Sequence, residues 1–182
     1  MKISTRRRAA RRGFTLLELL TVVAIVGILA TLGLVSYRRF ITSSKSSEAI
    51  YMVGSIRAAQ ESYRAETLTY LNVSAGFNEY FPTSSVGNKK TGWDAAAHPD
   101  YTRWRQLGAR PDGAVYYGYL VAAGVAGAVP PALHLANKPT WATTTEPWYV
   151  IEAKGDVDGN GTYSWVAGSS FTGEIYMENQ GE

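Results

Sequence analysis

Residues 11–34 read RRGFTLLELLTVVAIVGILATLGL. An apolar run of roughly 20 residues is long enough to cross a bilayer as a helix, and this one carries a single carboxylate, Glu18. A lone carboxylate costs about 2.5–3.5 kcal/mol at the bilayer centre. Glu18 stands four residues after Phe14, near the entry end of the run, where the cost is lower and a side chain can snorkel to the interface. Lys2, Arg6, Arg7, Arg8, Arg11 and Arg12 precede the run, and positive residues stay on the cytoplasmic side of a span. An ordinary secretory signal peptide uses the same basic and apolar regions. Against it, no Ala-x-Ala site with a polar continuation follows, and the helical pattern continues to about Glu66.

Beyond the run, Ile41, Ala49, Met52, Ile56, Ala59 and Tyr63 recur mostly three or four apart, which draws one apolar stripe along a helix. Ser43, Ser44, Glu48, Arg57, Gln60 and Glu61 fall largely elsewhere. One helix from Phe14 to about Thr67 has roughly 53 residues and a length close to 80 Å at the standard rise. Its first half needs lipid or a filament core around it, and its second half needs a domain to pack on. Gly27 and Gly33 each lower helix propensity by about 1 kcal/mol relative to alanine.

The rest of the chain reads as a small domain. Tyr70 to Gly113 is punctuated by Gly, Pro, Asn, Ser and Thr, a connector of loops and short turns. Pro111-Asp112-Gly113 is a turn signal, after which Val115, Tyr117, Tyr119 and Val121 alternate as a strand. GVAGAVPPALHLANKPTWATTTEP, residues 124–147, reads as a long surface excursion. Trp148–Ala153, Thr162–Val166 and Phe171–Met177 supply three more strands. The fold class expected is α+β: a long N-terminal helix, membrane-spanning in its first half, packed on a small antiparallel sheet.

Charge and cysteine content narrow the function. The chain has no cysteine, hence no disulfide framework or thiolate metal site. Its net charge of +3 comes from the N-terminal arginines; without the six basic residues before Gly13, 12 basic face 15 acidic residues. Nucleic-acid affinity is therefore not expected, even though Arg103, Arg105 and Arg110 surround Trp104. His98 and His134 lie in Pro-flanked loops without ligand-spaced partners and read as surface residues. No nucleophile elbow and no phosphate-binding glycine loop is present. The chain reads as one that catalyses nothing.

GDVDGNGTYS, residues 155–164, is the sharpest motif of the domain. Asp156, Asp158, Asn160 and Thr162 stand at alternate positions with Gly161 sixth, as in the first half of an EF-hand-type loop. The twelfth position is Ala167 where that loop needs a bidentate Glu, so a site would be open or would borrow a distant ligand such as Glu174. The competing account is a hairpin with a type I′ turn at Asn160-Gly161, and it is preferred. Calcium is the one cofactor the loop could hold.

The stretch from Gly13 resembles the class III signal peptides of type IV pilins and of the pseudopilins of type II secretion. The resemblance is carried by Gly13-Phe14-Thr15-Leu16 with Glu18 and the apolar run, and more loosely by SSEAIYMVGSIRAAQESYRAE, residues 46–66. It implies that a prepilin peptidase cuts after Gly13, that Phe14 becomes the N-methylated first residue, and that Glu18 pairs with the N-terminal amine of a neighbouring subunit. A buried charge is tolerable only when paired. Residues 1–13 are then a leader that is removed, 14–67 the long helix with 14–34 in membrane or filament core, and 68–182 the globular pilin domain. Partners implied are other copies and other pilins, the peptidase, the inner-membrane assembly platform and its ATPase, and the membrane itself. The expected location is the inner membrane first, then a periplasmic or cell-surface filament. Many members of the family have proline where this chain has Val35, so a kink there does not carry over. The function implied is that of a type IV pilus subunit in adhesion, motility or DNA uptake. A type II secretion pseudopilin and a membrane-tethered binding module are the alternatives.

Overall fold

A computed structural model describes residues 13–180, apart from the side chains of residues 38 and 39. The leader's basic residues lie outside the described residues. The chain divides into two units, Met1–Arg38 and Arg39–Glu182.

In the first unit the helix α1, Leu16–Thr67, begins. Every large apolar side chain from Leu16 to Val35 is exposed, from 88% at Leu16 to 54% at Val35. A helix that is hydrophobic all round belongs in apolar surroundings that its own domain does not supply. This segment is long and apolar enough to cross a membrane, and none of it is buried.

In the second unit α1 is amphipathic. Ala49, Met52, Val53 and Ile56 are buried, each large side chain contributing about 1.5–3 kcal/mol by leaving water. Gln60, expected on the polar side, is fully buried as well. Its amide brackets Leu71, donating to the Leu71 carbonyl at 2.8 Å and accepting its N–H at 3.0 Å. A side-chain amide thus satisfies a backbone that has no strand partner.

Four strands form one antiparallel sheet in sequential order: β1 Gly118–Gly124, β2 Trp148–Gly155, β3 Ser164–Ser169 and β4 Ile175–Glu178. The first begins later than the expected Val115. Val115 bridges Thr91 instead, and the Tyr116 N–H donates to Glu48 of α1 at 2.7 Å. The third begins after Thr162, whose N–H is held by Asn160 Oδ1 at 2.6 Å. The fourth omits Phe171–Glu174; the Thr172 and Gly173 carbonyls accept from Arg57 of α1, both at 3.0 Å. Segment 74–91 closes the free edge of β1, with Ser74 and Phe81 bonded to Val121 and Tyr119. The connector also holds a short helix that the sequence pattern concealed, α2 Tyr101–Leu107, ended by Gly108 at φ 76°. It inserts Trp104 into a cluster with Phe81, Trp93 and Tyr119.

Both faces of the sheet are covered. Tyr149, Ile151 and Ala153 of β2 join the α1 side, whereas Trp148 and Val150 face a second cluster with Leu133, Leu135 and Ala167. A strand buried on both faces reads as a continuous apolar run rather than an alternation. Residues 125–147, expected as a surface excursion, are therefore a flap that closes the outer face of the sheet. Trp148 Nε1 donates to the Ala128 carbonyl at 2.9 Å, and Glu178 accepts the Ala136 N–H at 2.6 Å.

Candidate functional site

Gly13, Phe14 and Thr15 precede α1 without regular structure, and Phe14 is 89% exposed. Thr15 and Glu18 then form a reciprocal capping box. Glu18 Oε2 accepts the Thr15 N–H at 2.9 Å and the Thr15 hydroxyl at 2.9 Å, while Thr15 Oγ1 accepts the Glu18 N–H at 3.1 Å. Such a pair satisfies donors that every helix start leaves open and places a carboxylate at the positive end of the helix dipole.

Two further hydroxyls on the apolar segment are also satisfied by the helix. Thr21 donates to the Glu18 carbonyl at 2.9 Å and Thr31 to the Ile28 carbonyl at 2.7 Å. Thr15, Glu18, Thr21 and Thr31 are the polar side chains between Phe14 and Val35, and all four are engaged inside the segment. Apolar surroundings require this, because no water is available there to complete a polar group. The i, i+3 spacing of Thr15 with Glu18, Glu18 with Thr21 and Ile28 with Thr31 was the available signal in the sequence.

Side chains on the second-unit part of α1 tie each hairpin to the helix. Lys45 Nζ donates to the Val157 carbonyl at 2.7 Å in the β2–β3 loop. Arg57 holds the β3–β4 connection as described, and Arg64 pairs with Glu146 at 2.9 Å just before β2. Gly155 lies against the Tyr117 ring so closely that a Cβ there would come within 2.6 Å of it.

The acidic loop Asp156–Tyr163 joins β2 to β3. Asp156 accepts the N–H groups of Gly159 at 2.9 Å and Gly161 at 3.3 Å. Asp158 accepts from the Asn160 N–H at 3.1 Å, and Asn160 from Thr162. The side-chain oxygens thus build local turns. The expected type I′ turn is not formed: positive φ occurs at Gly159, 80°, and Gly161, 86°, whereas type I′ requires it at two successive residues. Among the described residues no group of three or more His, Asp or Glu side chains converges to hold a metal.

His134 differs from its expectation. Its Nδ1 lies 2.7 Å from Oε1 of Glu152 and its backbone N–H donates to Oε2 at 2.8 Å. Glu152 is fully buried and also accepts the Tyr80 hydroxyl at 2.6 Å. The imidazole is stacked between Phe77 and Trp165, at centroid distances of 5.7 and 5.5 Å. Burial, reinforced by the Glu152 carboxylate, pushes the Tyr80 phenol far above its ordinary range. Spacing could not reveal the pair, because 18 residues separate its members and the flap brings them together. His98 stacks edge-on against Phe81. Arg103 pairs with Asp100, Arg110 with Asp94, and Arg105 lies over the Tyr101 ring, so the arginine cluster is engaged at home.

Residues 8–34 match the family model described as the prokaryotic N-terminal methylation motif. A "Probable minor fimbrial protein" of Dichelobacter nodosus is 36% identical over 88 residues, 48% of this chain and 53% of that protein. The "Type IV major pilin protein PilA" of Myxococcus xanthus is 41% identical over 70 residues, 38% of this chain and 31% of its own. The "Type IV major fimbrial protein FimA" of Dichelobacter nodosus is 41% identical over 54 residues, 30% of this chain and 35% of its own. The chain thus spans about half the length, or less, of these relatives. No solved structure matches it.

Proposed function

We propose that this chain, whose N-terminal region belongs to the type IV pilin family, is a structural subunit of a type IV pilus. The observation that carries the reading is the segment Leu16–Val35: apolar, exposed on every side, and with its polar side chains satisfied internally. A segment of that kind suits a bilayer before assembly and a helix bundle afterwards.

In this reading the chain is inserted through the inner membrane with its basic leader in the cytoplasm. A prepilin peptidase cuts between Gly13 and Phe14, and Phe14 is N-methylated. An assembly platform and its ATPase then extrude the subunit into a periplasmic or cell-surface filament with other pilins. The protein performs no chemistry; its work is packing. The exposed Phe14 and the unwound Gly13–Thr15 suit processing. The Tyr-rich stretch 115–121 and the flap suit a pilus better than the shorter domain of a type II secretion pseudopilin. Adhesion, motility and DNA uptake are the roles open to such a filament.

Glu18 is assigned to assembly. Thr15 holds its carboxylate at the helix start, where it can meet the new amine of a neighbouring Phe14. Glu18→Ala leaves cleavage after Gly13 intact, because Thr15 Oγ1 still caps the N–H of residue 18, and it strongly reduces sheared filaments. Normal filaments from this variant would contradict the assignment.

A further inference from the structure

The second unit carries an open groove of about 630 Å³ beside α1. Its apolar walls are Phe40, Ile41, Tyr51 and Tyr116, with Phe40 73% and Tyr51 67% exposed. Lys45 and Lys90 place their ammonium groups 4.8 and 5.0 Å from the centroid of the same ring, Tyr116. Glu48 lines the groove too, but its carboxylate is committed to the Tyr116 N–H at 2.7 Å and to Lys90 at 3.5 Å. Both cations keep donors to spare: Lys45 spends one of three on the Val157 carbonyl, and Lys90 spends one on Glu48. Lys90 is about half exposed. The groove thus pairs aromatic and apolar walls with two cations, the combination that suits the boundary between acyl chains and headgroups.

Chain continuity says what that boundary is. Phe40 follows Val35, the end of the apolar run, by five residues, at most about 18 Å of extended chain. Whatever angle the two units adopt, the Phe40 end of the groove stays near the leaflet in which the run ends. We infer that, before assembly, this groove docks the phosphate headgroup of an anionic phospholipid in that leaflet, with Lys45 and Lys90 on the phosphate and Phe40 among the upper acyl carbons. The inference rests on the reading of Leu16–Val35 as a membrane span. Its consequence is that the globular unit is held on the membrane surface until a neighbouring subunit replaces the lipid.

The chain has no cysteine, so single labels report cleanly. The test uses the full chain, one copy per nanodisc, with a spin label at Ser44→Cys in the groove or at Leu29→Cys in the apolar run, and a water-soluble paramagnetic quencher. In discs containing phosphatidylglycerol the Ser44 label is protected; in phosphatidylcholine alone it is not. Lys45→Gln with Lys90→Gln removes the protection, shifting the docked-to-free ratio by about thirtyfold, two lysines' worth at an anionic surface. Lys90→Gln alone carries the test if loss of the Lys45 tie to Val157 disturbs folding. A Leu29 label open to the quencher overturns the membrane reading itself. A protected Leu29 label with a Ser44 label equally accessible in both lipids overturns the groove and leaves the span standing. Ser44 protection that needs several copies per disc overturns it in favour of a subunit interface.

Discussion

His134 Nδ1 lies 2.7 Å from Glu152 Oε1, and through this contact the flap 125–147 is fastened to the middle of the sheet. Glu152 is the more costly member to lose. It is fully buried and receives three donors, the Tyr80 hydroxyl, the His134 N–H and the His134 ring. Removing an acceptor strands each donor it served, at about 1–3 kcal/mol apiece. Glu152→Ala is expected to lower unfolding stability by about 3 kcal/mol or more, and His134→Ala by about 1–2 kcal/mol because Tyr80 keeps its partner. Urea unfolding of both variants checks the order; equal losses, or a larger loss at His134, would contradict a shared anchor.

Alkaline pH is expected to unfold the domain through its tyrosines. Burial pushes the Tyr149 phenol up to about 12, against the pull of the Arg57 guanidinium. Tyr80 and Tyr119 are also raised, by burial first and then by Glu152 and Glu48 respectively. A phenol raised in the folded state contributes stability that is whole below its unfolded value, about 10, and is lost as pH climbs from there through the folded values. Tyrosinate absorbance and circular dichroism followed together above that pH should show the last phenols ionising in step with unfolding. Smooth ionisation of every tyrosine in a folded protein would show that the buried phenols are not protected.

The loop Asp156–Tyr163 is expected to stand without metal. Its oxygens already serve the N–H groups of Gly159, Asn160, Gly161 and Thr162. Calcium at about 1 mM, the range in which extracellular modules fill, should leave the thermal midpoint unmoved, while Asp156→Ala lowers it by removing two turn bonds. A midpoint raised by calcium in the native chain and not in Asp156→Ala would assign the loop to the ion instead.

Legibility in the sequence followed the range of the physics. The apolar run and the stripe through Ala49, Met52 and Ile56 are local patterns, and they gave the helix almost to the residue. The strands were visible as the alternation from Val115 to Val121 and as the segments Trp148–Ala153, Thr162–Val166 and Phe171–Met177, but their ends were set from afar: Val115 by Thr91, Thr162 by Asn160, and Thr172 by Arg57. Gln60 was misplaced because its burial depends on Leu71, a backbone that no periodicity describes. The flap misled for a similar reason. Gly, Pro and Thr signal irregular chain truthfully, yet say nothing of Leu133 and Leu135, which bury themselves on the far face of the sheet. At the candidate site, Gly13, Phe14 and Glu18 stood out in sequence. The capping box with Thr15 and the back-bonded Thr21 and Thr31 needed coordinates.

The central claim is that Leu16–Val35 is the core of a filament subunit whose mature chain begins at Phe14. The most direct test is the mass spectrum of the N-terminal peptide, taken from filaments sheared off producing cells and compared with the membrane fraction. The account predicts a peptide that starts at a methylated Phe14 and is present in the filaments. A chain that retains its intact leader in every fraction would contradict it.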